Sequence, residues 1–183
     1  MPLARDSFCS YCGTRYTEPH AYPRTCPGCA YQTWANPIPV CVTIVPVVDG
    51  ERTGVLVVRR NLPPAIGKLA LPGGFLEEHE AWNIGAAREV VEETGVVIDP
   101  DVEQLHWRSS RPRPNRLLLF SVAKPVDAST FPAFEADAET QERGVIFGPD
   151  GLDEEFAFDL HVDATKRYFA SRDVTGPHAF ARR

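Results

Sequence analysis

Three glutamates and an arginine crowd one short stretch of the chain: Glu89, Glu92 and Glu93, with Arg88 directly before them. On a helical wheel at ~100° per residue, the three carboxylates fall within an arc of about 100°. Like charges so placed repel one another and weaken a helix. A bound divalent cation relieves that repulsion, and hard Mg²⁺ takes oxygen ligands from a few carboxylates together with substrate phosphates. A solvated acidic face is the plain alternative in a chain of net charge −6. The neighbouring residues favour the cation. Gly73-Gly74 lets backbone approach a ligand closely. Glu80 falls at the expected helix entrance, where a carboxylate suits the positive dipole end. Arg88 is placed to orient Glu89 and Glu92 by charge-assisted hydrogen bonds.

A second group of residues points to a different metal. Cys9-x2-Cys12 and Cys26-x2-Cys29 are two knuckles separated by thirteen residues. Four thiolates complete a tetrahedral Zn²⁺ site and leave no open position, so this zinc is expected to be structural. A module of about 35 residues builds little core of its own, so the metal would supply the folding energy. Cys41 lies in an apolar run and reads as a small buried hydrophobe.

The elements that must position these groups can be read outward from them. Asn36-Pro37-Ile38-Pro39 is a stiff connector between a cysteine-bearing segment, 1–35, and a main domain, 36–171. Residues 172–183 read as a loose tail. Residues 40–48 are β-branched and apolar and read as a buried strand, with Pro46 marking a bulge or edge. The turn at 49–54 joins it to a strand at 55–60 as a hairpin. A Pro/Gly loop and a short apolar strand at 69–71 follow. The helix spans about 81–94 and stops at Gly95. Ile84, Ala87 and Val91 lie opposite the glutamates on the wheel and are expected to pack on the sheet. Strands are expected near 96–98, 103–109, 116–123 and 143–148, and a last amphipathic helix near 161–171. The fold class is α+β.

Residues 74–96, GFLEEHEAWNIGAAREVVEETGV, match the Nudix box at every specified position: Gly74, Glu80, Arg88, Glu89, Val90, Glu92, Glu93, Gly95 and Val96. The chain is therefore identified as resembling the Nudix hydrolases. That resemblance implies an α/β/α sandwich around a mixed sheet, here preceded by a small zinc ribbon. It implies Mg²⁺- or Mn²⁺-dependent pyrophosphohydrolase activity on a nucleoside diphosphate linked to another moiety. It assigns Glu92, Glu93 and the Gly73 carbonyl to the metal, Glu89 to the metal or to the attacking water's proton, and Arg88 and Glu80 to orientation. A further glutamate from a loop often completes such sites. Glu142 is the first candidate and Glu139 the second. One departure is His79-Glu80-Ala81, where many relatives have Gly-Glu-Thr or Gly-Glu-Ser.

The ribbon, the connector and the box together resemble the NADH pyrophosphatase group and shorter ribbon-bearing Nudix hydrolases. ADP-ribose, FAD and NAD(H) are the substrate types this implies. The NADH enzymes typically carry Ser-Gln-Pro-Trp-Pro-Phe-Pro after the box. Here the region reads Ser109-Ser110-Arg111-Pro112-Arg113-Pro114-Asn115-Arg116, which weakens an NADH assignment and offers Arg111, Arg113 and Arg116 as phosphate-gripping candidates. Two alternatives stand beside this reading: a nucleoside triphosphate pyrophosphohydrolase, and a non-catalytic Nudix module that senses a ligand or binds protein. Hydrophobic residues make up 43 % of the chain and support a real core. The acidic balance disfavours sequence-independent nucleic-acid binding. No apolar run reaches the ~20 residues of a membrane span, and no leader is evident, so the expected location is the cytoplasm. Relatives of this kind are often homodimers, and a homodimer is an expectation here.

Overall fold

A computed structural model describes residues 6–17, 22–109 and 115–183. The chain divides between Pro37 and Ile38 into two compact units. The first contains one small hairpin, β1 (Arg24–Thr25) and β2 (Gln32–Thr33), in which Arg24 faces Thr33.

The second unit is built on β3 (Ile38–Ile44), β4 (Pro46–Asp49), β5 (Arg52–Arg60), β6 (Leu69–Ala70), α1 (Trp82–Thr94), β7 (Glu103–Ser109), β8 (Arg116–Val122), β9 (Val126–Asp127), β10 (Thr140–Phe147), α2 (Leu152–Glu155), α3 (Asp159–Ala170) and β11 (Ala179–Arg182). One sheet has the order β11-β10-β5-β4-β9, with β6 on β5, and the other β3-β8-β7. The apolar run at 40–48 thus serves two sheets, broken at Val45. Pro46 has no N–H to continue the first ladder, and β4 opens the hairpin with β5, Pro46 opposite Val55. The neighbouring chain makes the same crossing. β3 runs parallel to β8, and beyond the break β4 runs parallel to β9.

Alternation along the strands builds a core on each face. Val42, Ile44, Val55, Val57 and Ile146 pack with Val162 and Phe169 of α3. Cys41, Val45, Leu56 and Val145 pack with Ala86 and Val90 of α1. Helices therefore cover both faces, giving the α/β/α arrangement. No described helix is long and apolar enough to cross a membrane.

Three sequence expectations need correction. Residues 96–98 form no strand. Val96 and Ile98 are buried and Val97 is 78 % exposed, so the period of two is present, but the segment pairs with no strand. The segment taken as a loose tail contains β11, which extends the larger sheet by pairing with β10, Ala181 opposite Val145. On α1, Ile84 and Val91 are exposed, whereas Gly85, Ala86, Val90 and Thr94 are buried. Ala87 does pack on the core, and the helix is turned so that Glu89 and Glu93 face the protein while Glu92 stays exposed.

Candidate active site

That rotation makes the site. At its N-terminus α1 has Ala81 in an extended N-cap conformation with no side-chain bond, and at its C-terminus Gly95 at φ 71 donates its N–H to the Val91 carbonyl. Left-handed backbone is where glycine suits a helix stop. The helix packs alongside β3 and the segment Pro72-Gly73-Gly74. The carbonyls of Pro72 and Gly74 accept from the amides of Thr43 and Cys41 on β3. Neighbouring residues of an extended chain point their polar groups oppositely, so Gly73 turns its amide to the helix, where it donates to Glu93 at 3.0 Å. Gly73 is required by its approach to the β3 backbone, whereas a side chain at Gly74 would displace the Glu89 carboxylate. A Cβ on Gly73 would lie 2.2 Å from the Cys41 carbonyl oxygen, and one on Gly74 would lie 2.3 Å from a Glu89 carboxylate oxygen.

Arg88 organises the carboxylates. Its Nε and Nη2 donate to the two oxygens of Glu80 at 2.8 and 2.9 Å. Its Nη1 donates to Glu89 and to Glu92, each at 2.8 Å, and Nη2 reaches the Phe75 carbonyl. The planar guanidinium thus spreads over three acids, which a lysine ammonium could not do in that geometry. Glu80 lies just before the N-cap and also accepts from the Glu77 amide. These bonds, that of Arg88 foremost, hold the Glu80 carboxyl below the usual range.

Glu89 and Glu93 behave in the opposite way. Burial pushes the Glu93 carboxyl up to about 8, against the Gly73 amide bond, with repulsion from Glu89 and Glu139 adding to it. Burial also raises Glu89, opposed by Arg88. Two carboxylates held in a dry, mutually repelling pair are what a divalent cation would stabilise. The residues therefore fit a metal, although Glu89, Glu92 and Glu93 do not converge to ligand spacing by themselves, because Arg88 draws two of them aside.

The two loop carboxylates separate clearly. Glu142, the first candidate, lies on β10 and accepts from Arg59 Nε at 2.5 Å, with Arg182 at 3.7 Å from its other oxygen. Glu139 is the one whose charge acts on Glu89 and Glu93. Its turn is fixed by Asp137, whose side chain accepts from the amides of Glu139 and Thr140, and by the Asn61 amide on the Glu139 carbonyl.

Arg60 and Phe75 lie beside the carboxylates without having been singled out in the sequence, and Arg116, offered there as a phosphate candidate, joins them. Arg60, at the end of β5, feels the charges of Glu93, Glu139 and Arg116. It donates to the carbonyls of Pro64 and Leu62 and sits over the Phe158 ring at 5.0 Å. Phe75, next to Gly74, is 48 % exposed, with the Arg116 guanidinium 4.9 Å from its ring centre. The available signal was a large aromatic directly after Gly-Gly and a basic residue closing a strand. Arg111 and Arg113 lie outside the described residues.

In the first unit, the four cysteines are brought together so that their sulfurs lie within 4.8 Å of one another, the only such group of potential ligands among the described residues. The Cys9–Cys29 and Cys12–Cys26 sulfur separations are 3.9 and 3.6 Å. A tetrahedral ion with Zn–S near ~2.3 Å requires sulfurs ~3.8 Å apart. Each knuckle closes with an amide-to-carbonyl bond, Gly13 to Cys9 and Ala30 to Cys26. Backbone amides, that of Cys12 first, draw the Cys9 thiol down to about 6, while, against the Tyr31 amide, burial and the neighbouring thiols push Cys29 up to about 12, as four sulfurs crowded to share one cation would. The donor set fits zinc.

The NUDIX domain matches residues 37–165. The chain belongs to the Nudix hydrolase family. A curated relative, the NAD-capped RNA hydrolase NudC of Deinococcus radiodurans, is 32 % identical over 110 residues, or 58 % of this chain. The match spans only 37 % of that relative's length. A Nudix hydrolase structure from Nitrosomonas europaea is similar over 91 % of this chain and 92 % of its own, at TM-score 0.70 and 26 % identity. The Nudix domain of Shewanella oneidensis NrtR, solved with ADP ribose, shares the fold at TM-score 0.62 and 20 % identity, covering 76 % of this chain and 90 % of that one.

Proposed function

We propose that this Nudix domain hydrolyses the diphosphate linkage of a nucleoside diphosphate joined to another moiety, with Mg²⁺ or Mn²⁺ held by Glu89, Glu92, Glu93 and the Gly73 carbonyl. The observation that carries this reading is the pair Glu89 and Glu93, buried against Gly73-Gly74 with both carboxyls raised. When bound, the metal neutralises diphosphate oxygens and lowers the pKa of attacking water. The chain's own groups do the rest. Glu89 contributes an oxygen to the metal or takes the attacking water's proton. Arg88 and Glu80 fix its direction. Glu139 takes the role first offered to Glu142, since Glu142 is engaged by Arg59 while Glu139 shares the field of the helix carboxylates. Arg60 and Arg116 supply positive charge for the phosphates, and the exposed Phe75 ring offers a face on which a base can stack. The four cysteines hold a structural zinc.

The substrate type rests on the ADP ribose complex and the NAD-capped RNA hydrolase among the similar proteins. The test is a product assay with Mg²⁺ across ADP-ribose, FAD, NADH, NAD-capped RNA and nucleoside triphosphates, with Glu93→Gln as control. AMP release from ADP-ribose, FAD and NADH, and nicotinamide mononucleotide release from NAD-capped RNA, are expected. Turnover confined to triphosphates would replace the substrate class, and turnover undiminished in Glu93→Gln would end the catalytic assignment. Phe75→Ala is expected to raise KM more than it lowers kcat.

A further inference from the structure

Arg143 is the largest fully buried side chain, at 2 % exposure. Burial alone draws its pKa down, and the charge makes no ion pair with a carboxylate among the described residues. Its guanidinium instead serves backbone carbonyls from three segments. Nη1 donates to Thr94 at 2.5 Å, Nη2 to Pro132 at 2.8 Å and Nε to Arg183 at 3.1 Å. The Phe131 and Phe134 rings lie 4.8 and 5.5 Å from its centre. The Arg183 amide returns a bond to the Arg143 carbonyl.

The three segments are not arbitrary. Thr94 ends α1 and directly follows Glu93, so the cation sits at the negative end of the helix dipole. Gly95 abuts the same place, since a Cβ there would meet Pro132 at 3.2 Å and Arg143 Nη1 at 3.8 Å. Pro132 begins the loop that reaches Glu139. Arg183 follows β11. We propose that Arg143 is a positioning residue that locks the axial position of α1 to the start of the 131–140 loop, and so sets Glu89 and Glu93 against Gly73-Gly74 while fixing the approach of Glu139. This rests on the metal reading given above. A lysine keeps the charge but cannot satisfy three coplanar acceptors, and carbonyls left unpaired in that dry place would draw the helix end and the loop apart.

The test compares the full zinc-loaded chain with Arg143→Lys, with the milder Phe134→Ala, and with Phe169→Leu as a control in the core beneath α3. Mn²⁺ affinity is read from the electron-spin signal of free Mn²⁺, without substrate. Amide hydrogen exchange is followed over 88–95 and 131–140. Arg143→Lys is expected to weaken Mn²⁺ binding ~10-fold or more, the scale seen when a ligand's support is removed, and to speed exchange in both segments together. Phe134→Ala should do the same to a smaller degree, and Phe169→Leu should do neither. Should Arg143→Lys fail to fold, Phe134→Ala decides. Mn²⁺ binding and exchange unchanged in the arginine and Phe134 variants overturns the proposal, as does equal weakening in Phe169→Leu. If the unaltered chain binds no Mn²⁺, the metal reading falls, and exchange then decides the role of Arg143: joint loosening upholds it, independent loosening overturns it.

Discussion

The cysteine tetrad and the glutamate helix are both proposed to hold a cation, yet they bring their candidate ligands together by opposite means. In the first unit the backbone supplies little more than two knuckles and a hairpin of two residues a side. Its ligands are already at tetrahedral spacing, and the ion would be the core. In the second unit apolar cores on both faces of the sandwich supply the packing. Its carboxylates are held apart by Arg88 and held down by burial, so charge is stored rather than satisfied. A closed thiolate site suits permanence, and a strained open carboxylate site suits exchange of ligands during turnover.

Removing zinc is the harshest way to break that comparison. Metal binding in such modules is worth roughly 10–16 kcal/mol, far above what a small hairpin provides. Stripping zinc, or Cys26→Ser, is expected to unfold the described residues of the first unit, 6–17 and 22–37, while the sandwich keeps its cooperative melt. Hydrogen exchange resolved by segment checks this, and a ribbon that stays protected without metal would refute it.

The corresponding change at the helix should act on rate instead. Glu93→Gln is expected to lower kcat ~10³-fold and to leave the thermal midpoint unchanged or higher, because an amide suffers no burial penalty from charge. Steady-state kinetics beside calorimetry separates the two. A lost fold would show that Glu93 is structural.

The pH dependence sharpens the same point. The Glu93 carboxyl is raised in the folded state to about 8 from 4.5. In metal-free protein its contribution to stability is therefore fully present below about 4.5 and is lost as pH rises through about 8. Melting midpoints of the chelated hydrolase domain should fall across that window, and Glu93→Gln or saturating Mg²⁺ should flatten the slope. A slope unaffected by Glu93→Gln would place the titration elsewhere.

How far the sequence discloses these two regions follows from what each depends on. The knuckles and the box are local spacings, so ligand identity, the helix and its glycine stop can all be read directly. The rotation of α1 cannot. A wheel shows that Ile84 and Val91 oppose the glutamates, but it does not show that the acids face inward, because the Gly73 amide and the bare Gly74 backbone that receive them come from another segment. Glu139 and Glu142 are three residues apart in one acidic loop, and only the pairing of β10 with β5 gives Glu142 to Arg59. Strand β11 has four residues and little pattern, and exists because β10 offers it an edge. Residues 96–98 show the converse, strand-like alternation with no partner.

The smallest effect is expected at the entrance to α1, where the chain departs from the usual Gly-Glu-Thr. His79 stands at φ 67, a left-handed conformation costly for a residue with a Cβ, and its side chain is 89 % exposed, 3.5 Å from Glu78. Ala81 occupies the N-cap at φ −72, ψ 141 with no side-chain bond to the first turn. A serine fits that backbone and would accept from a first-turn helix amide, worth ~1 kcal/mol. Glycine at 79 removes strain but frees the unfolded chain, leaving a net gain of ~0.5 kcal/mol. Ala81→Ser should therefore raise the midpoint by ~2–4 °C, His79→Gly by less, and the pair additively only if Glu80 keeps its hold on Arg88. Unchanged kcat in both would show that this entrance serves the fold. A drop in kcat for His79→Gly alone would mean that the strained turn positions Glu80, tying the smallest structural departure in the box to the arginine that holds its acids apart.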